Sequence, residues 1–294
     1  MTDDAPGGTV ALDLTTRKTY RYLRVSVLVL VLLLVTSLAI EIFWGDSPRL
    51  GSISAYYYTP VRAVLVGSLV ALAPALIAIK GRPGWEDALL DLAGMLIPLV
   101  AFVPAPLRVG CAAGVETCTP AEVQPGVRNN VSALLVVGAV CLAFAWWSAQ
   151  PRGRVITLAL VVATGVWLAF GLWFVVSFDT FLVGAHYAAA IAFFVLISAV
   201  AWINGRRAVE RGNVRGMTPD GYARAYKLIS LLMVLTIVVA SVLYAVAALV
   251  GAQLWFATIL VVEAVLLLLF AVFWALQTAE NWDEEAVETV PPEA

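Results

Sequence analysis

Of 294 residues, 62% are hydrophobic and 13% charged, whereas a soluble domain carries about 25% charged residues. Eighteen Lys and Arg against twenty Asp and Glu, with one His and three Cys, leave a formal charge of −2. These values exclude an ordinary soluble domain, a disordered chain, a disulfide scaffold and a nucleic-acid binder. They point to an all-α, polytopic transmembrane helix bundle.

In chain order, residues 1–24 form a polar and basic N-terminal tail, with Arg17, Lys18, Arg21 and Arg24 at its end. Eight apolar runs follow, at 25–44, 61–79, 88–103, 131–147, 155–178, 181–203, 228–249 and 254–276. About 20 helical residues cross a hydrocarbon core, and most of the runs are that long. The first is too long for the apolar segment of a cleavable signal. The third is short and holds Gly94 and Pro98, so it is the least regular span. The transmembrane domain covers 25–277, with a loop at 104–130. Residues 278–294 form a tail rich in Asp and Glu.

Lys and Arg divide unevenly between the two sets of loops. Fourteen fall on one side, and only Arg49, Arg62, Arg108 and Arg128 on the other. The positive-inside rule then places both termini on the cytoplasmic side of the cell membrane and the 104–130 loop outside. Cys111 and Cys118 share that outer loop, where a disulfide can form. Cys141, inside the fourth run, reads as a packing residue. Trp44, Trp147, Trp202 and Trp255 stand near run ends, as interfacial aromatics do.

Ionisable residues within spans are functional candidates. Glu263 is nine residues into the last run, roughly 13 Å deep at 1.5 Å per residue. A carboxylate there must be neutralised, paired or hydrated. His186 lies in the sixth run ahead of several alanines, which permit close helix approach. Glu41 and Arg62 flank the first outer loop, where they either pair or face water at the interface. Asp87 and Asp91 share a helix face near Lys80 and Arg82. Gly67 and Ala71, four apart in the second span, suggest a close helix contact. The loop segment Gly51–Pro60 supplies Ser52, Ser54, Tyr56, Tyr57 and Tyr58 on the side of Glu41, Arg62, Asp179 and His186. Together with Glu263 these residues form a candidate polar pocket at the outer leaflet. No metal motif, P-loop, G-x-S-x-G or C-x-x-C occurs, so no cofactor, no metal and no complete catalytic set is expected.

The run Ser52–Arg62 with Val64–Gly67 resembles a motif of multi-span integral membrane proteins of actinobacterial type, a group with no assigned activity. Asp87 with Leu92–Gly94, Phe102–Pro104, His186 with Ala189, Phe193 and Phe194, Tyr222, Tyr226, and Trp255–Phe256 with Glu263 extend the likeness. More distantly, such proteins resemble the alkaline ceramidase and adiponectin-receptor superfamily, whose members pair Ser and Asp with three histidines around zinc. Tyr58 stands where some relatives carry His, and Ala63 where an acidic residue often follows the Arg. The resemblance implies a multi-span helical fold and a location in the bacterial inner (plasma) membrane, not an activity. Three functions remain open: a membrane protein binding lipid or a membrane-protein partner at the outer pocket, a proton-coupled transporter using Glu263, or a membrane-embedded lipid hydrolase. In the last, Ser52 or Ser54 would stabilise an oxyanion, with Glu263 or His186 as base.

Overall fold

A computed structural model describes residues 7–79, 84–107, 111, 117–148, 153–210 and 216–282, with the side chains of 7–17 excepted. Eight α-helices account for the eight apolar runs. They are α1 (Gly7–Trp44), α2 (Arg62–Ala78), α3 (Trp85–Phe102), α4 (Gln124–Ser148), α5 (Arg154–Val176), α6 (Phe178–Arg207), α7 (Pro219–Val250) and α8 (Thr258–Glu280). No β-strand occurs among the described residues. In lipid every backbone N–H and C=O needs an internal partner, and continuous helices supply one.

Six of these helices, all but α2 and α3, contain a stretch long and apolar enough to cross a membrane. Helix α2 is apolar but has only 17 residues, about 25 Å at 1.5 Å per residue. Helix α3 carries Glu86, Asp87 and Asp91 near its start. The outward surface is the strongest physical sign of a lipid environment. Leu172, Val175 and Leu249 are 67, 78 and 86% exposed, and almost nothing on α4 or α5 is buried. Such a surface in water would be one large association patch. The bundle therefore has the make-up of an integral membrane protein.

Helices α1, α2, α3, α6 and α8 surround a common interior. Helix α7 packs on α6 and α8 from outside, and α4 with α5 forms a hairpin laid against α3 and α6. Lipid tails are as apolar as leucine, so close packing rather than water expulsion holds such helices together. Small residues allow it. Ala93 and Ala101 of α3, and Ala185, Ala189 and Ala201 of α6, are fully buried. At Gly94 a Cβ would stand 2.9 Å from the Ala73 carbonyl and 2.7 Å from Ile77, so α3 can approach α2 only as glycine. The close contact expected at Gly67 is absent: Gly67 is exposed and a Cβ there would meet nothing within 4 Å. Cys141 is also exposed on α4 rather than packed.

One end of the bundle is tied by polar side chains. Glu86 accepts from Asn204 at 2.9 Å and from Arg207 at 3.2 Å, joining the start of α3 to the end of α6. Tyr226 donates to Glu280 at 2.6 Å, joining α7 to α8. Arg21 and Arg24 of α1 donate to the carbonyls of Trp282 and Asn281. Cations at a helix C-terminus and anions at an N-terminus both oppose the helix dipole. Lys80, Arg82 and the acidic tail beyond Trp282 lie outside the described residues.

Candidate functional site

The opposite end is closed by the chain between α1 and α2. It turns inward and forms a single 3-10 turn, Ser54–Tyr58, with Ala55, Tyr56 and Tyr57 buried. A short turn inside a bundle leaves backbone N–H groups without helical partners. Glu263 supplies them. Its Oε2 accepts from the Ile53 N–H at 2.5 Å and the Ser52 hydroxyl at 2.9 Å, and its Oε1 accepts from the Ser54 hydroxyl at 2.8 Å. Two longer contacts come from the Ser54 N–H at 3.4 Å and the Ser52 hydroxyl at 3.1 Å. Ser52 Oγ in turn accepts from the Ala55 N–H at 3.3 Å.

The capping is mutual. The Gly51 carbonyl accepts the N–H of Leu260, in the first turn of α8, at 2.8 Å. Helix α8 thus caps the turn with a side chain, and the loop caps α8 with a carbonyl. Because α8 begins at Thr258, Glu263 lies in its second turn, about 7–8 Å from the helix start. It is nearer the bundle end than the 13 Å read from the apolar run, which also counted the non-helical Leu254–Ala257. No cation contacts it among the described residues. Its partners are neutral donors.

The three tyrosines fix the turn rather than line a pocket. Tyr56 Oη accepts from the Leu50 N–H at 3.4 Å, and Tyr58 donates to the Ala105 carbonyl at 3.2 Å. Burial pushes the Tyr58 phenol well above the ordinary tyrosine range. Arg62 donates to Tyr57 Oη at 2.7 Å and stacks 4.3 Å from that ring. Of the two readings for Glu41 and Arg62, the pairing does not form among the described residues. Glu41 is buried beside Gly45 at the end of α1, and its Oε1 has no hydrogen-bond partner. Asp179 is exposed at the start of α6. The 104–130 loop is clasped by a disulfide between Cys111 and Cys118, with Cα atoms 5.6 Å apart, and by a backbone bridge between Leu107 and Cys118.

Under the turn lies a cavity of about 100 Å³. Its walls are apolar: Leu30 and Leu34 of α1, Leu65 and Leu72 of α2, Ile97 of α3, Ala190, Phe193 and Phe194 of α6, and Leu267 and Phe270 of α8. Four polar residues reach it: Ser54, Ser68, His186 and Glu263. His186 Nδ1 lies 2.7 Å from the Val103 carbonyl. A carbonyl can only accept, so Nδ1 carries the proton and the imidazole caps the last turn of α3. Ser68 is 4% exposed and its hydroxyl has no partner.

Of the ten expected pocket residues, the structure brings Ser54, His186 and Glu263 to one cavity, with Ser52 behind them. It sets Glu41, Arg62, Asp179 and the tyrosines elsewhere. Ser68 is the wall residue that sequence reasoning missed, although it is the lone hydroxyl in the second apolar run. No family, no curated protein and no solved structure matches the chain. Among the described residues, no three His, Cys, Asp or Glu side chains gather as a metal ligand set.

Proposed function

We propose that the chain is a multi-span protein of the bacterial cytoplasmic membrane that holds the hydrocarbon chain of a lipid in the cavity between α1, α2, α3, α6 and α8. The observation that carries this reading is the separation of chemistry within the cavity. Polar groups gather under the Ser54–Tyr58 turn, and the remaining lining is Leu, Ile, Val, Ala and Phe. Ligand sites have this character: mostly apolar walls with a few convergent polar groups that fix orientation.

All eight helices cross the membrane in this reading, and both termini are cytoplasmic. The uneven division of Lys and Arg supports that orientation. So does the Cys111–Cys118 disulfide, which stands in the 104–130 loop assigned to the oxidising side.

A photoreactive alkyl probe added to the protein in lipid nanodiscs tests the cavity. Leu30, Phe193 and Leu267 themselves become labelled, read at single-residue resolution, in addition to the outward-facing residues that any bilayer probe reaches. Labelling confined to outward residues such as Leu172 and Leu249 contradicts the reading. Reporter fusions at residues 150–154 and at the C-terminus test the orientation, and both report cytoplasmic.

A further inference from the structure

The lining of the cavity carries information about the polar end of its occupant. This inference rests on the lipid-binding reading and narrows it. Among the described residues Glu263 is the one acidic group at the cavity, and both of its oxygens are already engaged. Oε2 takes the Ile53 N–H and the Ser52 hydroxyl, and Oε1 takes the Ser54 hydroxyl. A carboxylate offers about four lone-pair positions, and five donor contacts converge on this one. Little capacity remains for a ligand's donors.

Ser68 is in the opposite state. Its hydroxyl is buried in the α2 wall with no partner. An unsatisfied buried hydroxyl is a standing penalty that a ligand atom can remove. A hydroxyl both donates and accepts, so its partner is any neutral oxygen group.

Charge decides among the head groups. An anionic head would have to leave water for an apolar enclosure lined by no Lys or Arg, and a buried charge without a partner is costly. A cationic head would have to leave water for a carboxylate whose lone pairs are filled by the turn, so it would be left short of acceptors. A neutral hydroxyl or carbonyl meets neither cost and completes Ser68. We infer that the cavity selects a single hydrocarbon chain bearing a neutral oxygen group, a hydroxyl or carbonyl, seated on Ser68 beneath the Ser54–Tyr58 turn.

The test uses the full chain in phosphatidylcholine nanodiscs and four photoreactive probes of equal chain length. They are an alkane, an alcohol, a carboxylic acid and an amine, scored by labelling at Phe193 itself. The alcohol labels about tenfold more efficiently than the alkane, the gain of roughly one hydrogen bond. The acid and the amine label no better than the alkane. Ser68→Ala, with helicity and unfolding temperature reporting the fold, lowers the alcohol-to-alkane labelling ratio to about one. Equal labelling by all four probes overturns the inference but leaves lipid binding standing. So does preference for the acid or the amine, or an alcohol preference that survives in Ser68→Ala. No labelling of Phe193 by any probe overturns both.

Discussion

Ser54 Oγ lies 2.8 Å from Glu263 Oε1, and that contact joins the Ser54–Tyr58 turn to the second turn of α8 across 209 residues of sequence. Glu263 is therefore the fastening of the turn that roofs the cavity. Deleting its carboxyl in Glu263→Ala strands the Ile53 N–H and two hydroxyls in a low-dielectric setting. Each stranded buried donor costs about 1–3 kcal/mol. Glu263→Ala should lower thermal stability in detergent by on the order of 2–4 kcal/mol. Glu263→Gln keeps an acceptor for Ile53 and a donor that Ser54 Oγ can accept, so it should lie within about 1 kcal/mol of the parent.

Gly51 tests the other half of the mutual cap. A Cβ there would overlap the Phe256 carbonyl oxygen, which is backbone and cannot rotate away. Gly51→Ala should push the loop off α8 and cost about 1–3 kcal/mol, as overpacking does. Gly67→Ala faces open space and sits inside α2, so it should be neutral or stabilising by roughly 0.5–1 kcal/mol. Thermal unfolding of the two variants side by side checks the contrast.

Sequence periodicity placed the helices well, because a run of apolar residues bounded by Pro, Gly and charge has few alternatives in lipid. All eight runs became helices. What it could not place was direction within the bundle. Tyr56, Tyr57 and Tyr58 share a loop with Ser52 and Ser54, yet a tight 3-10 turn fans consecutive side chains to different sides, and only the serines reach Glu263. Ser68 was hidden for the opposite reason. One hydroxyl in an apolar helix has no local pattern, and its meaning comes from the cavity it faces. Gly67 looked like a packing contact by spacing, but Gly94 holds that role because α2 presents its Ala73 and Ile77 face to α3.

Tyr58 gives a pH dependence. Its folded pKa is raised by burial, so the folded state resists losing the phenol proton. Above the ordinary tyrosine value of about 10, the unfolded chain ionises Tyr58 while the folded chain does not. Stability is thus intact below pH about 10 and falls as pH rises beyond it. Tyr58→Phe should show a shallower alkaline loss than the parent in a pH series of unfolding temperatures.

The Cys111–Cys118 disulfide closes a short loop with a sequence separation of 7. Constraining a loop of that length in the unfolded chain is worth about 2–3 kcal/mol. The peptide spanning residues 109–128 should gain about two mass units on reduction. The double variant Cys111→Ser with Cys118→Ser should unfold at lower temperature. Cys141, exposed on α4, should be the thiol that an apolar maleimide modifies without reduction.

Filling the cavity tests lipid binding most directly. Ala190 lines the cavity from α6, and Ala190→Phe places a ring where the chain of the lipid would lie. Native mass spectrometry of the purified parent should find one retained single-chain lipid per protein. Ala190→Phe, with unchanged helicity and unfolding behaviour, should carry none. An empty parent, or the same lipid retained equally by parent and Ala190→Phe, would contradict the account.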